Sequence, residues 1–386
     1  MTVSPHQLDL WSSNMSDLYQ SLEGEIIRIL IKRLNRGSGD ITEWQAQKLA
    51  ELRLFNNDVT KLLSKVTNVA EPEIKRMFEE VGKQIVQNVD NAMPYATKPM
   101  PTNLDNTMRA YHSQVWGDID NYVNQSLITT SYGRGSAQLA YQNTLNKTAA
   151  MFNTGLYTFE QSLERSITEL AQKGIRTRLT DRGGNTWSLE GYTRTVLKST
   201  LGNTYNQLRT ERMSEYGVYT VLVTSHVGAR DACSIIQGNV VDLRPMEQLP
   251  ADSEYRSIYD PYWQAEYGSA GGHRGANCAH LHIIYIPGVS TNNQPKYDAE
   301  LNERVAKARD TQRRIEREIV KYKKNLMVAE ELGSDNVGHW RSMVRRRQAA
   351  MREHLSNNEK YLSRNYKREK VYTPLSTLLE GFSYDN

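Results

Sequence analysis

Apolar residues at three- and four-residue spacing run through the first third of the chain, and that period belongs to helices whose one side is buried. Leu18, Leu22, Ile26, Ile29 and Leu30 share one side of a helix that stops near the Asn35–Gly39 turn. A second stretch, Ile41 to Lys65, carries Trp44, Leu49, Leu52 and Leu62. Glu71-Pro72 then reads as the opening of a third helix, because proline is tolerated in a first turn. Its inner line is Ile74, Phe78, Val81, Ile85 and Val89. Prolines 94, 99 and 101 mark a loop over Met93–Asn106, and helices are expected again over Met108–Ile128, Ala137–Phe152 and Thr158–Lys173. A helical bundle or an extended helical arm accounts for this part.

The middle changes character. Asp181–Asn185 reads as a turn and Trp187–Leu189 as a short strand. Glu190–Tyr216 is an amphipathic helix with Tyr192, Val196, Leu201, Tyr205 and Leu208 inside. Beyond Gly217, the β-branched run Tyr219–Thr224 predicts a buried strand. Val240–Leu243 and Leu281–Ile286 are further strand candidates, and Gly268–Gly275 is a glycine-rich loop. From about Lys296 the chain is helical and charged. One helix spans Glu303–Glu331, with Arg313, Arg314, Glu316, Arg317 and Glu318 placed to pair along its surface. Gly333–Asn336 breaks it, a second helix runs from Val337 to about Arg368, and the two form an antiparallel hairpin.

Charge is unevenly distributed. The net charge is +4, yet residues 296–371 hold 20 Lys/Arg against 12 Asp/Glu, so +8 lies there and −4 elsewhere. A basic C-terminal region meets DNA, an acidic protein surface, or only solvent. Arg345, Arg346 and Arg347 are its candidate phosphate contacts. No stretch approaches the roughly 20 apolar residues of a membrane span. The first thirty residues lack a basic start and an unbroken apolar run, which sets the expectation of synthesis in a reducing cytoplasm with free or metal-bound cysteines.

Both cysteines and four of the eight histidines fall between His226 and His282. They form two clusters, His226…Cys233 and His273…Cys278-Ala-His280-Leu-His282. Thiolate and imidazole are the ligands zinc prefers, and a structural site wants four in a tetrahedron. His226, Cys233, His273, Cys278 and His280 are the candidate ligands. In a regular strand Cys278, His280 and His282 would share a face. The alternative is small buried cysteines and histidines hydrogen-bonded within turns. A catalytic metal would need an open position and a general base, for which only Asp231 and Glu266 offer themselves. No phosphate loop and no GxSxG motif is present. No catalytic residue is assigned.

These residues resemble the phage minor capsid protein 2 family, a relative of the MuF-like head morphogenesis proteins. The likeness begins in Leu18–Leu34 and the Trp44-Gln45…Lys48-Leu49 stretch, and continues at Leu189–Thr195. It is most specific at Ser225-His226-Val-Gly228-Ala-Arg230 with Gln237-Gly238, and at Asn277-Cys278-Ala-His280 with Pro287-Gly288. Gln312-Arg313…Glu316-Arg317 is similar to a further family segment. Three positions depart from the pattern: Cys233 where the family often has His, Ile236 in place of an aromatic, and Ala279 in place of Arg.

The resemblance implies a mostly helical, elongated α+β protein with a small central mixed domain and a C-terminal helical hairpin. Its expected regions are a helical 1–178, a MuF-like α+β domain at 179–292, and a basic helical 293–386. Gly228, Arg230, Gln237, Gly238 and Asn277 are its expected structural motif residues, and a structural zinc is the cofactor to test for. The implied role is a non-enzymatic minor capsid protein in the phage head, made in the host cytoplasm. Its implied partners are the portal or major capsid protein, and phage DNA with which it leaves the head. Two alternatives stand beside it: an internal DNA-binding head protein, and a zinc-dependent hydrolase.

Overall fold

The structure is a computed structural model describing residues 5–35, 40–93, 104–130, 133–180, 184, 186–269, 271–275 and 278–384. The protein is mostly helical with small antiparallel sheets, as the periodicity implied. In chain order the helices are α1 (Pro5–Leu34), α2 (Ile41–Ala50), α3 (Leu52–Ala92), α4 (Leu104–Ile119), α5 (Gln125–Ile128), α6 (Ser136–Asn153), α7 (Phe159–Lys173), α8 (Leu189–Glu215), α9 (Asp231–Ser234), α10 (Ala299–Leu332), α11 (Val337–Ser356) and α12 (Leu375–Tyr384). The strands are β1 (Thr129–Thr130), β2 (Gly133–Arg134), β3 (Arg176–Thr180), β4 (Thr186–Ser188), β5 (Thr220–Val223), β6 (Val240–Asp242) and β7 (His282–Ile284). Among the described residues no helix is long and apolar enough to cross a membrane.

The chain gathers into two compact units. One comprises Met1–Ser13, Glu73–Val115 and Thr195–Thr311; the other comprises Asn14–Pro72, Trp116–Arg194 and Gln312–Asn386. Each collects segments far apart in sequence, and the chain passes from one to the other inside α1, α3, α4, α8 and α10.

The first unit holds the three-stranded sheet, ordered β6-β5-β7 and antiparallel throughout. Strand β5 lies in the middle with all four residues buried, so it reads as an unbroken apolar run rather than an alternation. Val221 pairs with Val241 on one side and Ile284 on the other. These three pack with Val223, Ile236, Ile258, Trp263 and Met213 in one core. The second half of α3 adds Val89, and Met93 just beyond its end joins it. Arg212 of α8 donates from Nε to Asp90 of α3 at 2.7 Å, and the Tyr216 hydroxyl donates to the same carboxylate at 2.8 Å.

The second unit is helical. Asp40 caps α2 by accepting from the amides of Thr42 and Glu43, and Thr158 with Gln161 forms a reciprocal capping box on α7. Tyr19 donates to Asn124 at 3.1 Å in its interior, and Tyr141 donates to the Lys48 carbonyl. The expected hairpin is present. Ile315 and Ile319 of α10 pack on Met351 and Leu355 of α11, with ion pairs Glu318–Arg347 and Glu330–Arg341 farther along. Pairing in descending order is the signature of antiparallel helices.

Three local expectations change. Pro72 lies inside α3 instead of opening a helix. Ala70 and Ile74 on either side of it are fully buried, so packing outweighs the amide hydrogen bond proline cannot make. Before it, the inner line of α3 is Phe55, Val59, Leu63 and Val66, while Leu49 is 40 % exposed. The break at Glu51 resets the helical phase, which a continuous reading over Ile41–Lys65 cannot follow. Helix α11 ends at Ser356 rather than near Arg368, and α12 follows Pro374, a start signal in the sequence. The proline-rich stretch 94–103 and most of the Asp181–Asn185 turn lie outside the described residues.

Within the second unit, Glu23 is buried 3.7 Å from Lys324. Burial, with the Glu190 charge adding to it, pushes the Glu23 carboxyl above its ordinary 4.5; Lys324 and backbone hydrogen bonds at Glu190 and Ile175 offset only part of that. A raised folded value means that the folded state binds this proton more tightly than the unfolded chain. Stability therefore falls as pH rises from the ordinary value through the raised one. Glu23→Gln is expected to lack that slope in urea melts taken across the acid-to-neutral range. Any constant offset from leaving Lys324 without a counter-charge does not alter the slope, and parallel curves for the two proteins would refute the assignment.

Candidate metal centre

Strand β5 ends at Val223, and β7 begins beside it at His282, its register partner. The segments that leave one and enter the other therefore start at the same end of the sheet, and they carry the Cys/His clusters. The first segment turns at Gly228, whose φ of +74° favours glycine, and whose missing Cβ would stand 3.1 Å from Val305. The Gly228 amide donates to Asn302 at 2.8 Å. Arg309 spreads its two terminal nitrogens over the carbonyls of Val227 and Gly228, at 2.9 and 3.1 Å. Arg230 then takes the N-cap position of the one-turn helix α9, which carries Cys233.

The second segment is the glycine-rich loop. Its ends are tied by the His273 amide donating to Ala265 and the Gly268 amide donating to His273, at 2.7 and 2.9 Å. His273 is thereby held fully buried. Arg274 follows with a φ of +63°, an uncommon conformation for a side chain of that size. Its guanidinium, itself buried, bridges the carbonyls of Gly202 and His280. Asn277 lies outside the described residues.

The clusters meet. One ligand atom from each of Cys233, His273, Cys278 and His280 lies within 4.8 Å of all the others. The two sulfurs are 3.9 Å apart and both thiols are free; Cys278 Sγ is 3.5 Å from His280 Nδ1. His280 Nε2 faces Gln237 Oε1 at 3.2 Å, and the same oxygen accepts the His226 amide at 3.1 Å. An amide oxygen only accepts, so His280 carries its proton on Nε2 and presents the bare Nδ1 lone pair to the sulfur. His226 is outside the set of four and stacks on His280 with ring centres 4.2 Å apart. His282 is also outside it, with Nε2 3.0 Å from His273 Nε2. Cys278 and His280 precede β7 in non-strand backbone, so the shared strand face expected for Cys278, His280 and His282 does not form.

Electrostatics favour the neutral ring at His226, His273 and His282. Burial, then neighbouring His280, lowers His226 to about 4. Burial also lowers His273 and His282, with His273 adding to the effect on the latter. The Cys278 thiol is pushed down by the adjacent Cys233 sulfur and by the histidines around it, while the Cys233 thiol is pushed up by Cys278 and by burial. Such a set can accept a soft or borderline cation. Asp231 and Glu266 are both exposed and belong to no such set.

Sequence reasoning did not single out Arg274, Asn302 or Arg309. No local signal marks the latter two, which reach the first turn from α10, some seventy to eighty residues on. Arg274 stood inside the quoted cluster, and its positive φ is invisible in sequence.

A model of the family described as phage minor capsid protein 2 matches residues 3–356. A structural protein of Lactococcus phage LL-H is 31 % identical over 370 residues, covering 92 % of this chain and 98 % of that relative. A structural protein of Lactococcus phage mv4 is 33 % identical over 121 residues, which are 31 % of this chain and 98 % of that shorter protein. No solved structure matches the chain.

Gly238 closes the first turn, with a φ of +73° and its amide on the Val223 carbonyl at 2.9 Å. A Cβ there would stand 2.7 Å from Ser225 Oγ, whereas at Gly217, φ +70°, it would meet nothing. Both alanine variants carry the ~1–2 kcal/mol cost of a left-handed side chain. Gly238→Ala is expected to cost more than Gly217→Ala in urea melts, and adding Ser225→Ala should remove the excess. Equal costs would show that the close approach is relieved freely.

Proposed function

The chain belongs to the phage minor capsid protein 2 family, and from that membership we propose that it is a structural component of a tailed-phage head, seated at the portal or on the inner capsid wall. The observation that carries this reading is the extent of the family match, residues 3–356, which takes in both compact units and the hairpin alike. The LL-H relative, called a structural protein, aligns over 98 % of its own length and supports the same role. The geometry agrees in kind. The Cys/His cluster is closed in by Gln237, Arg274 and stacked rings, an arrangement suited to holding backbone in place. Portal protein or major capsid protein is the partner this role requires.

Purified virions are the test. The chain is expected in particles freed of host protein, at a copy number far below that of the major capsid protein. Its absence from such particles would remove the proposal. Comparing full particles with particles that have released their DNA separates a resident component, retained in both, from one that leaves with the genome.

Contact with packaged DNA is a second reading favoured by one observation. Arg345 and Arg346 are exposed on α11, whereas Arg347 is engaged by Glu318 at 3.0 Å. If the two exposed arginines meet phosphates, Arg345→Glu with Arg346→Glu is expected to weaken DNA binding. The slope of log affinity against log salt should become shallower by about 2. Arg347→Gln should change it less. An unchanged slope in the double variant would exclude this surface as a DNA contact.

A further inference from the structure

We propose that Cys233, His273, Cys278 and His280 bind one zinc ion in a closed site that fastens the glycine-rich loop and the β5 exit to the entrance of β7. The four ligand atoms all lie within 4.8 Å of one another, and the two closest measured edges match one ion. With Zn–S near 2.3 Å and Zn–N near 2.0–2.1 Å, a tetrahedron has edges of about 3.8 Å between sulfurs and about 3.5 Å between sulfur and nitrogen. The observed separations are 3.9 Å for Cys233–Cys278 and 3.5 Å for Cys278–His280 Nδ1. A disulfide would need the sulfurs at about 2.05 Å.

The surroundings are those of a metal ligand set. Gln237 holds His280 in the tautomer that leaves Nδ1 bare, as a second shell does for a coordinating imidazole. His273 is fully buried, with Nε2 3.0 Å from His282 Nε2 and its side chain hydrogen-bonded to Cys278, so the ring already addresses a neighbouring member of the set. Charge balances as well. Zn²⁺ enters and each thiol gives its proton to water, so two thiolates, two neutral imidazoles and the ion sum to zero, which suits a buried place. Two thiolates with two imidazoles in a tetrahedron select zinc over hard oxygen-seeking cations. Four protein ligands leave no position for an activated water, so the site is structural and the hydrolase alternative loses its chemistry.

The test uses the full chain, purified without a histidine tag or chelator. Elemental analysis is expected to find about one zinc per chain, displaced when the thiols are blocked with a mercurial. Cys233→Ser and Cys278→Ser should each lose most of it, and His226→Asn should keep it. A serine variant that fails to fold loses metal trivially, so cobalt is also exchanged into the wild-type protein. Intense visible bands of tetrahedral Co(II), with a thiolate-to-cobalt charge-transfer band, are expected. Wild-type protein that carries no zinc and develops no such bands, its two cysteines freely reactive or joined as a disulfide, overturns the proposal. So does equal loss of zinc in His226→Asn.

Discussion

Strand β5 is buried from end to end, and the chain that leaves it must turn without stranding its polar backbone. The first unit is organised around that constraint. The Thr224 and Gly238 amides return to the carbonyls of Leu281 and Val223, the Ser225 amide goes to the Gln294 side chain, and the His226 amide goes to Gln237. The carbonyls of Val227 and Gly228 are taken by Arg309. Each partner comes from a different stretch of chain, so satisfying the turn draws α9, the segment before β7 and the start of α10 to one place. The Cys/His cluster is a product of this convergence. Gln237 makes the link visible, because one oxygen accepts from the turn and fixes the ring of His280 at once.

The same constraint explains what could be read from the sequence. Period and propensity are local properties, and they located the long helices and all three strands of the three-stranded sheet. The apolar lines of Leu18–Leu30 and Ile74–Val89 were legible because packing there follows one uninterrupted helical phase. Leu49 was misplaced because a break of a single residue shifts that phase. The short β1, β2 and α9 were missed, and so, more tellingly, were strand β3 and helix α12. Strand β3, Arg-Thr-Arg-Leu-Thr, has no apolar alternation strong enough to stand out; α12 is announced only by Pro374. At the site, residue types pointed to the four members now found together, and His226 was added because it shares their chemistry. Its exclusion depends on a stacking geometry that spacing does not encode. A division drawn along the sequence also has no means to express units that interleave through the interiors of helices.

The basic surplus of the C-terminal region looks different once its partners are known. Arg313 is held by Glu316, Arg347 by Glu318, Arg341 by Glu330 and Arg364 by Glu369. Much of the positive charge therefore serves the hairpin and its neighbours, although an exposed pair such as Arg341–Glu330 contributes little stability. Arg345 and Arg346 are exposed and face no carboxylate in the described ion pairs, so a count of Lys and Arg overstates the surface offered to an anion.

A head component has to keep its shape while its surroundings are loaded and emptied, and local unfolding is the usual way a small sheet fails. Three strands of three or four residues bury little area of their own. The loops around them make up most of the chain between Ser225 and Pro295, and loop backbone is costly to order. The proposed zinc cross-link among Cys233, His273, Cys278 and His280 would act where that cost is concentrated, on segments forty-five residues apart that no strand pairing joins directly. Unlike a disulfide, it would need no oxidising compartment to form. With all four of its positions taken by protein ligands, the proposed centre would hold backbone rather than a reacting water.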